Sequence, residues 1–169
     1  MGKVKKGSTD LNGMDVTEFL ANGGVIKDEP ESSTKILRGL DIWNAEYSPV
    51  EWAIKDMIPM SKKTVAVGDF EAGKSYLYLG AALSLAAGKS GYLGFEIPKQ
   101  RKVLYVDLEN GEDETIRRIN KLTIGHDIDK TQCADTLSLV TKPGDFEEVF
   151  PMITTEVEAF KPDVIIIDN

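Results

Sequence analysis

The segment from Gly68 to Ser75 carries the residues best suited to bind phosphate. Its sequence, GDFEAGKS, fits the pattern G-x-x-x-x-G-K-[ST] in full. The two glycines let the backbone curl so that successive N–H groups point at phosphate oxygens, and a helix beginning here adds its partial positive charge. The pattern therefore predicts a phosphate-binding loop made of Gly68, Asp69, Phe70, Glu71, Ala72, Gly73, Lys74 and Ser75.

Lys74 and Ser75 are expected to have different tasks in this loop. The Lys74 ammonium would reach the β- and γ-phosphates of a nucleotide, so we predict that it serves both binding and catalysis. The Ser75 hydroxyl would bind a Mg²⁺ ion that bridges the same phosphates and accepts only near-octahedral oxygen ligands. ATP and Mg²⁺ are therefore the predicted cofactors.

Two acidic residues follow predicted strands and are suited to complete such a site. Four apolar residues end in Asp168, which is the Walker B pattern, where a carboxylate at the strand tip lies near Mg²⁺ and its waters. Glu109 comes two residues after the predicted strand 103–107. A carboxylate at the carboxyl end of a parallel strand can accept a proton from an attacking water. We therefore predict Asp168 as a metal residue and Glu109 as the catalytic base.

The elements that must position these residues alternate between strand and helix. Short apolar runs predict strands, and longer periodic segments predict helices. Such alternation is typical of an α/β fold with a parallel sheet and helices on both sides. The predicted strands are 64–67, 103–107, 137–140 and 164–167, and the predicted helices are 74–87, 112–122 and 145–160.

Two of these elements have features that sharpen the prediction. The helix over 145–160 begins with a capping-box pattern, Asp145 and Glu148, and contains Pro151, which should kink or restart it. The uninterrupted apolar run 164–167 is typical of a strand buried on both faces.

The part of the chain before residue 36 differs in composition from the rest. Residues 1–35 are polar and rich in glycine and charge, which predicts a tail or linker with a short helix over 14–22. Residues 36–169 are predicted to form the main domain, with Trp43 and Trp52 as packing residues.

Composition excludes several classes of protein. The chain has 169 residues, 41% of them hydrophobic, which suits a packed core. It has no apolar run of membrane-spanning length and no secretory signal, so we predict a cytoplasmic protein without a membrane partner. One cysteine and one histidine exclude an internal disulfide and a Cys/His zinc cluster. A net charge of -8 argues against a large nucleic-acid surface on this chain.

Five other residues have simpler interpretations. His126 and Cys133 are predicted to be loop or surface residues. Asp107 could help to bind metal, but a hydrogen bond to a neighbouring loop is the favoured interpretation. Arg117 and Arg118 are predicted to form a solvated helix face.

Together these motifs resemble the RecA-like ATPases. GDFEAGKS, the segment LYVDLENGEDETIRR and the closing PDVIIIDN are most similar to the branch of the RepA-type hexameric replicative helicases. The resemblance covers about residues 45–169. It implies a RecA-like P-loop fold in which Lys74 and Ser75 hold phosphate and Mg²⁺, Glu109 activates water and Asp168 positions the metal. It also implies DNA as a possible partner, through regions beyond this chain, and a possible homo-oligomeric ring.

The sequence departs from that family in two places. Asp69, Phe70 and Glu71 stand where small residues and proline are usual, and acids beside the loop could weaken ATP binding unless they face solvent. In the family, the strand after Walker B lies between the Walker B strand and the phosphate-loop strand, whereas this sequence ends at Asn169. The sheet is then expected to be incomplete at the C-terminus, with its first and last strands paired directly or separated by a gap. We expect nucleotide binding to be at best weaker than in a full-length relative, and hydrolysis to be slow or absent.

Two functions of other classes remain open. A small P-loop kinase would need the Walker B strand beside the phosphate-loop strand and an arginine-bearing lid, for which Arg117 and Arg118 are the candidates. A non-catalytic nucleotide-binding or interaction protein would keep the fold and have lost turnover.

Overall fold

The computed structural model describes residues 36–69 and 72–169 and divides the chain into two compact units, Met1–Tyr47 and Ser48–Asn169. In the first unit, the described residues contain one short helix, α1 (Leu40–Trp43). Trp43 is 83% exposed, so the prediction that it packs is wrong. The predicted tail, its helix over 14–22 and two loop residues, Phe70 and Glu71, lie outside the described residues.

The second unit contains seven strands and three α-helices in its described part. The strands are β1 (Trp52–Ile54), β2 (Ile58–Pro59), β3 (Gly91–Tyr92), β4 (Phe95–Glu96), β5 (Val103–Asp107), β6 (Leu137–Thr141) and β7 (Val164–Asp168). The helices are α2 (Lys74–Ala86), α3 (Glu112–Gly125) and α4 (Phe146–Phe160), with a 3₁₀ turn at Lys130–Cys133. Strands β1 and β2 form one antiparallel pair, and β3 and β4 form another.

The three remaining strands form a parallel sheet in the order β6-β5-β7. Every residue of β5 is buried because helices cover both faces of this central strand. Val103 and Tyr105 belong to the core that includes α2, whereas Leu104 and Val106 belong to the core that includes α4. The predicted parallel sheet with helices on both sides is confirmed.

Helix α2 confirms its prediction closely. Its residues from Leu79 to Ala86 are all buried, as expected for a helix that is apolar on most of its faces. Helix α4 also forms where it was predicted and is one continuous element with Pro151 inside it.

The predicted capping box at the start of α4 is wrong. The Asp145 side chain makes no capping hydrogen bond, and the first turn is closed instead by the Glu148 backbone N–H, which donates to the Asp145 carbonyl at 3.1 Å. The Glu148 carboxylate is paired with Lys142 Nζ at 3.4 Å, so its oxygen is used outside the helix.

Residues 64–67 were predicted to be a strand, and that prediction is wrong. The segment has no strand partner and is exposed throughout, with Val67 92% exposed. A groove of about 180 Å³ is lined both by Thr64 and by residues 164–167 of β7. A strand requires a neighbour for its backbone N–H and C=O groups, and these residues have none in the described part of the chain. The first and last predicted strands were expected either to pair directly or to be separated by a gap, and the structure has the gap.

The expected burial of β7 on both faces is also wrong. Ile166 is buried on the side of α2, but Ile165 and Ile167 are 44% and 46% exposed. On that face α4 packs against residues of β5 and β6, and β7 lies at the edge of the sheet. Its apolar run therefore belongs to a strand covered on one face only.

Three further findings concern Cys133, His126 and the lengths of the helices. Cys133 was predicted to be a loop or surface residue; it ends the 3₁₀ turn but is buried, with its Sγ 3.9 Å from the Leu83 carbonyl oxygen, so a surface position is wrong. His126 follows α3 and is half-buried, with its ring 5.5 Å from that of Tyr92. Among the described helices, none is long and apolar enough to cross a membrane.

Candidate functional site

One cavity brings together the chemistry-bearing residues that lie far apart in the sequence. Its volume is about 680 Å³, within the range of ligand pockets. Its walls are supplied by the start of α2, the segment after β5, one residue of α3 and the end of β7. It is lined by Gly73, Lys74, Ser75, Tyr76, Leu108, Glu109, Arg118, Asp168 and Asn169.

Lys74 contacts the first two residues of the predicted phosphate-binding loop. The Lys74 ammonium donates to the Gly68 carbonyl at 2.9 Å and to the Asp69 carbonyl at 2.8 Å. Gly73 immediately precedes α2 with a φ of +80°, a conformation in which a side chain would be strained. No side chain caps the N-terminus of α2, so its first N–H groups are suited to an anion. Asp69 is exposed. Its charge was expected to weaken ATP binding unless it faced solvent.

The tips of β5 and β7 lie side by side at the cavity. Asp107 and Asp168 are register partners, and the Leu108 N–H donates to the Asp168 carbonyl at 2.9 Å. The Tyr105 hydroxyl donates to Asp168 Oδ2 at 2.9 Å. Burial, together with the charge of Asp168, raises the pKa of Tyr105 well above its ordinary value, so its hydroxyl remains a donor.

Asp107 organises the turn that carries Glu109. Asp107 is 2% exposed, and its carboxylate accepts hydrogen bonds from the backbone N–H groups of Glu109 at 3.0 Å and Asn110 at 2.7 Å. It also accepts from the Thr115 hydroxyl of α3 at 2.7 Å. The favoured interpretation of Asp107, a hydrogen bond to a neighbouring loop, is confirmed. The turn leaves Glu109 exposed at the cavity.

We expect Asp107→Asn to lower the free energy of unfolding by about 2 kcal/mol, because the new amide group faces donors and leaves at least one of them unsatisfied. Urea denaturation followed by circular dichroism measures this change. Asp163→Asn is the matched control, since Asp163 is exposed and accepts one backbone hydrogen bond, from Lys102 at 2.9 Å. Equal losses in the two variants would contradict a special role for Asp107.

Arg118 lines the cavity, although it was not among the predicted residues of the ATP site. It was predicted to lie on a solvated face with Arg117, but only Arg117 is largely exposed. The Arg118 guanidinium lies 5.3 Å from the Tyr76 ring centroid, and its Nε donates to Glu114 at 2.9 Å. The sequence spacing could have predicted this position, because Arg118 is one helical turn after Thr115 and lies on the same side of α3. The prediction would also have required knowing that Thr115 faces the ends of the strands.

A Mg²⁺ ion fits the residues available at the cavity. The described residues contain no cluster of three or more His, Cys, Asp or Glu side chains that could hold a metal by itself. Ser75 and Asp168 line the cavity and offer oxygen atoms. Mg²⁺ is usually bound by one or two such groups together with substrate phosphates and water. The donor set therefore suits Mg²⁺ bound along with a nucleotide.

Comparison with known proteins gives one informative result. A family model described as AAA domain matches residues 30–169, which is most of the chain and includes every wall of the cavity. No curated protein and no solved structure shows a significant match.

Proposed function

The chain belongs to the AAA domain family, and from this premise we propose that it binds ATP with Mg²⁺ and hydrolyses it slowly through Glu109. Its α/β fold is that of a P-loop NTPase, and the family indicates nucleotide binding of the ATPase type. The observation that carries the proposal is the single cavity lined by Lys74, Ser75, Glu109 and Asp168.

The residues of α2 would provide most of the binding. The Lys74 ammonium has three donors, and its two bonds to loop carbonyls can be exchanged for charge-assisted bonds to phosphate oxygens. The uncapped N-terminus of α2 adds backbone N–H groups and partial positive charge. Arg118 supplies a second cation at the wall of the cavity.

Hydrolysis requires a group that takes a proton from water, and Glu109 is proposed for that role. Its carboxylate is exposed at the cavity, and its backbone N–H is held by Asp107 at 3.0 Å. Ser75 and Asp168 would hold Mg²⁺, which neutralises charge developing on the phosphates. Slow turnover is expected because residues 64–67, which lead into the loop, have no partner strand in the described part of the chain.

Isothermal titration of the protein with ATP, in Mg²⁺ and then in EDTA, tests the proposal. We expect binding in Mg²⁺ with a dissociation constant no weaker than millimolar, and clearly weaker binding in EDTA. A single-turnover assay with excess protein then measures phosphate release. Absence of binding heat down to millimolar affinity would replace this proposal with the interaction protein that has lost nucleotide chemistry.

The two alternatives make different predictions in the same assays. A non-catalytic nucleotide-binding protein would bind ATP but release no phosphate above the uncatalysed rate. A P-loop kinase would transfer the phosphate to a small molecule. No observation favours the kinase, because β7 does not pair with residues 64–67 and Arg118 is engaged with Glu114.

The resemblance to RecA-like helicases adds a finer proposal, that the nucleotide site serves a DNA motor that works as a ring. It rests on the quoted motifs. Native mass spectrometry with and without ATP, and phosphate release with and without single-stranded DNA, would test it. A monomer under all conditions and a rate indifferent to DNA would contradict it.

A further inference from the structure

The hydrogen bond between Tyr105 and Asp168 joins two strands at the edge of the candidate site. Tyr105 is the register partner of Ile166, so Asp168 lies two residues further along β7 and on the same face of the sheet. Because side chains alternate along strands, both point to the side covered by α2. The hydroxyl of Tyr105 lies 2.9 Å from Oδ2 of Asp168.

The rest of the Tyr105 side chain is held firmly in the core. The residue is 1% exposed and is packed with the buried residues of α2. A ring fixed in this way has its hydroxyl at a defined point, because close-packed interiors leave side chains little freedom. Asp168 is only half-buried, and among the described residues no other side chain donates to its carboxylate. Tyr105 is therefore the rigid partner and Asp168 the one that needs orientation.

We propose that Tyr105 is a positioning residue for the metal site: its hydroxyl holds Oδ2 of Asp168 and thereby turns Oδ1 toward the cavity. This inference rests on the proposed function, in which Asp168 helps to hold Mg²⁺. Partners that orient metal-binding carboxylates tune metal affinity even though they do not touch the ion. A purely structural hydroxyl would instead affect only the stability of the core.

The test replaces the hydroxyl and leaves the ring, using Tyr105→Phe. Tyr92→Phe is a matched control, because Tyr92 is 4% exposed and its hydroxyl donates to the Leu77 carbonyl at 2.7 Å, away from Asp168. For each protein, the ATP dissociation constant is measured over a range of Mg²⁺ concentrations and in EDTA. Thermal unfolding of each nucleotide-free protein measures stability.

We expect Tyr105→Phe to raise the Mg²⁺ concentration needed for half of the metal-dependent gain in ATP affinity by about 10-fold. ATP affinity in EDTA should stay unchanged, and Tyr92→Phe should leave the Mg²⁺ dependence of the wild type intact. In an Asp168→Asn background, Tyr105→Phe should have no further effect on Mg²⁺ dependence. A wild-type Mg²⁺ response in folded Tyr105→Phe overturns the inference and leaves the proposed function standing.

A second measurement uses the unaltered protein and does not depend on how a variant folds. With tyrosine labelled with ¹³C at Cζ, the Tyr105 resonance should shift on addition of ATP with Mg²⁺ but not with ATP in EDTA. An identical response in the two conditions overturns the inference. If the wild type binds ATP equally with and without Mg²⁺, the metal role of Asp168 fails, and the inference about Tyr105 fails with it.

Discussion

Lys74→Ala should abolish measurable ATP binding, with the dissociation constant raised about 100-fold or more, because two charge-assisted hydrogen bonds to phosphate are lost. The Lys74 ammonium lines the cavity and already bonds two loop carbonyls, so it can reach a phosphate held by the same loop. Isothermal titration in Mg²⁺ measures the change. Of all single substitutions in the chain, we expect this one to weaken binding most.

Lys89→Ala is the matched control for this experiment. Lys89 also donates to a backbone carbonyl, that of Asp127 at 3.0 Å, but it does not line the cavity. It should leave ATP affinity unchanged. Lys74→Arg keeps the charge, yet a planar guanidinium does not reproduce a compact ammonium, so we expect it to recover only part of the affinity. Wild-type affinity in folded Lys74→Ala would mean that the loop does not bind phosphate.

Glu109→Gln should lower the single-turnover rate of phosphate release by about 10²- to 10⁴-fold, the usual contribution of a positioned general base. The amide has the size of the carboxylate but cannot accept a proton. The turn should survive the change, because Asp107 holds it through the Glu109 backbone N–H and through Asn110. Binding of ATP should therefore remain within a few-fold of the wild type, which separates this variant from Lys74→Ala.

Glu112→Gln is the control for Glu109. Glu112 is an exposed acid at the start of α3, three residues further along the chain, and it lines a different groove. It should leave phosphate release unchanged. An unaltered rate in Glu109→Gln would mean that another group accepts the proton from water and that Glu109 is not the catalytic base.

Much of the architecture could be predicted because it depends on local patterns. The predicted helix at 74–87 and the strand at 103–107 have almost the bounds of α2 and β5. Their apolar periodicity is a property of neighbouring residues, so no tertiary information is needed to recognise it. The pattern that predicts a phosphate-binding loop is also local, because its glycines, lysine and serine all lie within residues 68–75.

The predictions that were wrong concern features that depend on tertiary contacts. Residues 64–67 have a strand-like composition but form no strand, because pairing depends on a neighbour that no local pattern reveals. The apolar run of β7 was predicted to be buried on both faces, yet burial depends on whether a helix covers each face of an edge strand. Asp145 and Glu148 fit a capping box, but Lys142 binds the glutamate instead.

The sequence by itself determined which groups are available: a loop that fits the phosphate-binding pattern, the hydroxyl of Ser75, and acids placed after two predicted strands. Only the tertiary structure decided which of these groups meet. In the structure β7 lies beside β5, so that the Tyr105 hydroxyl donates a hydrogen bond to Asp168, and Arg118 lines the cavity. The reason is that residues 63 positions apart in the chain become neighbours through strand order and helix orientation, and both depend on the packing of the whole core.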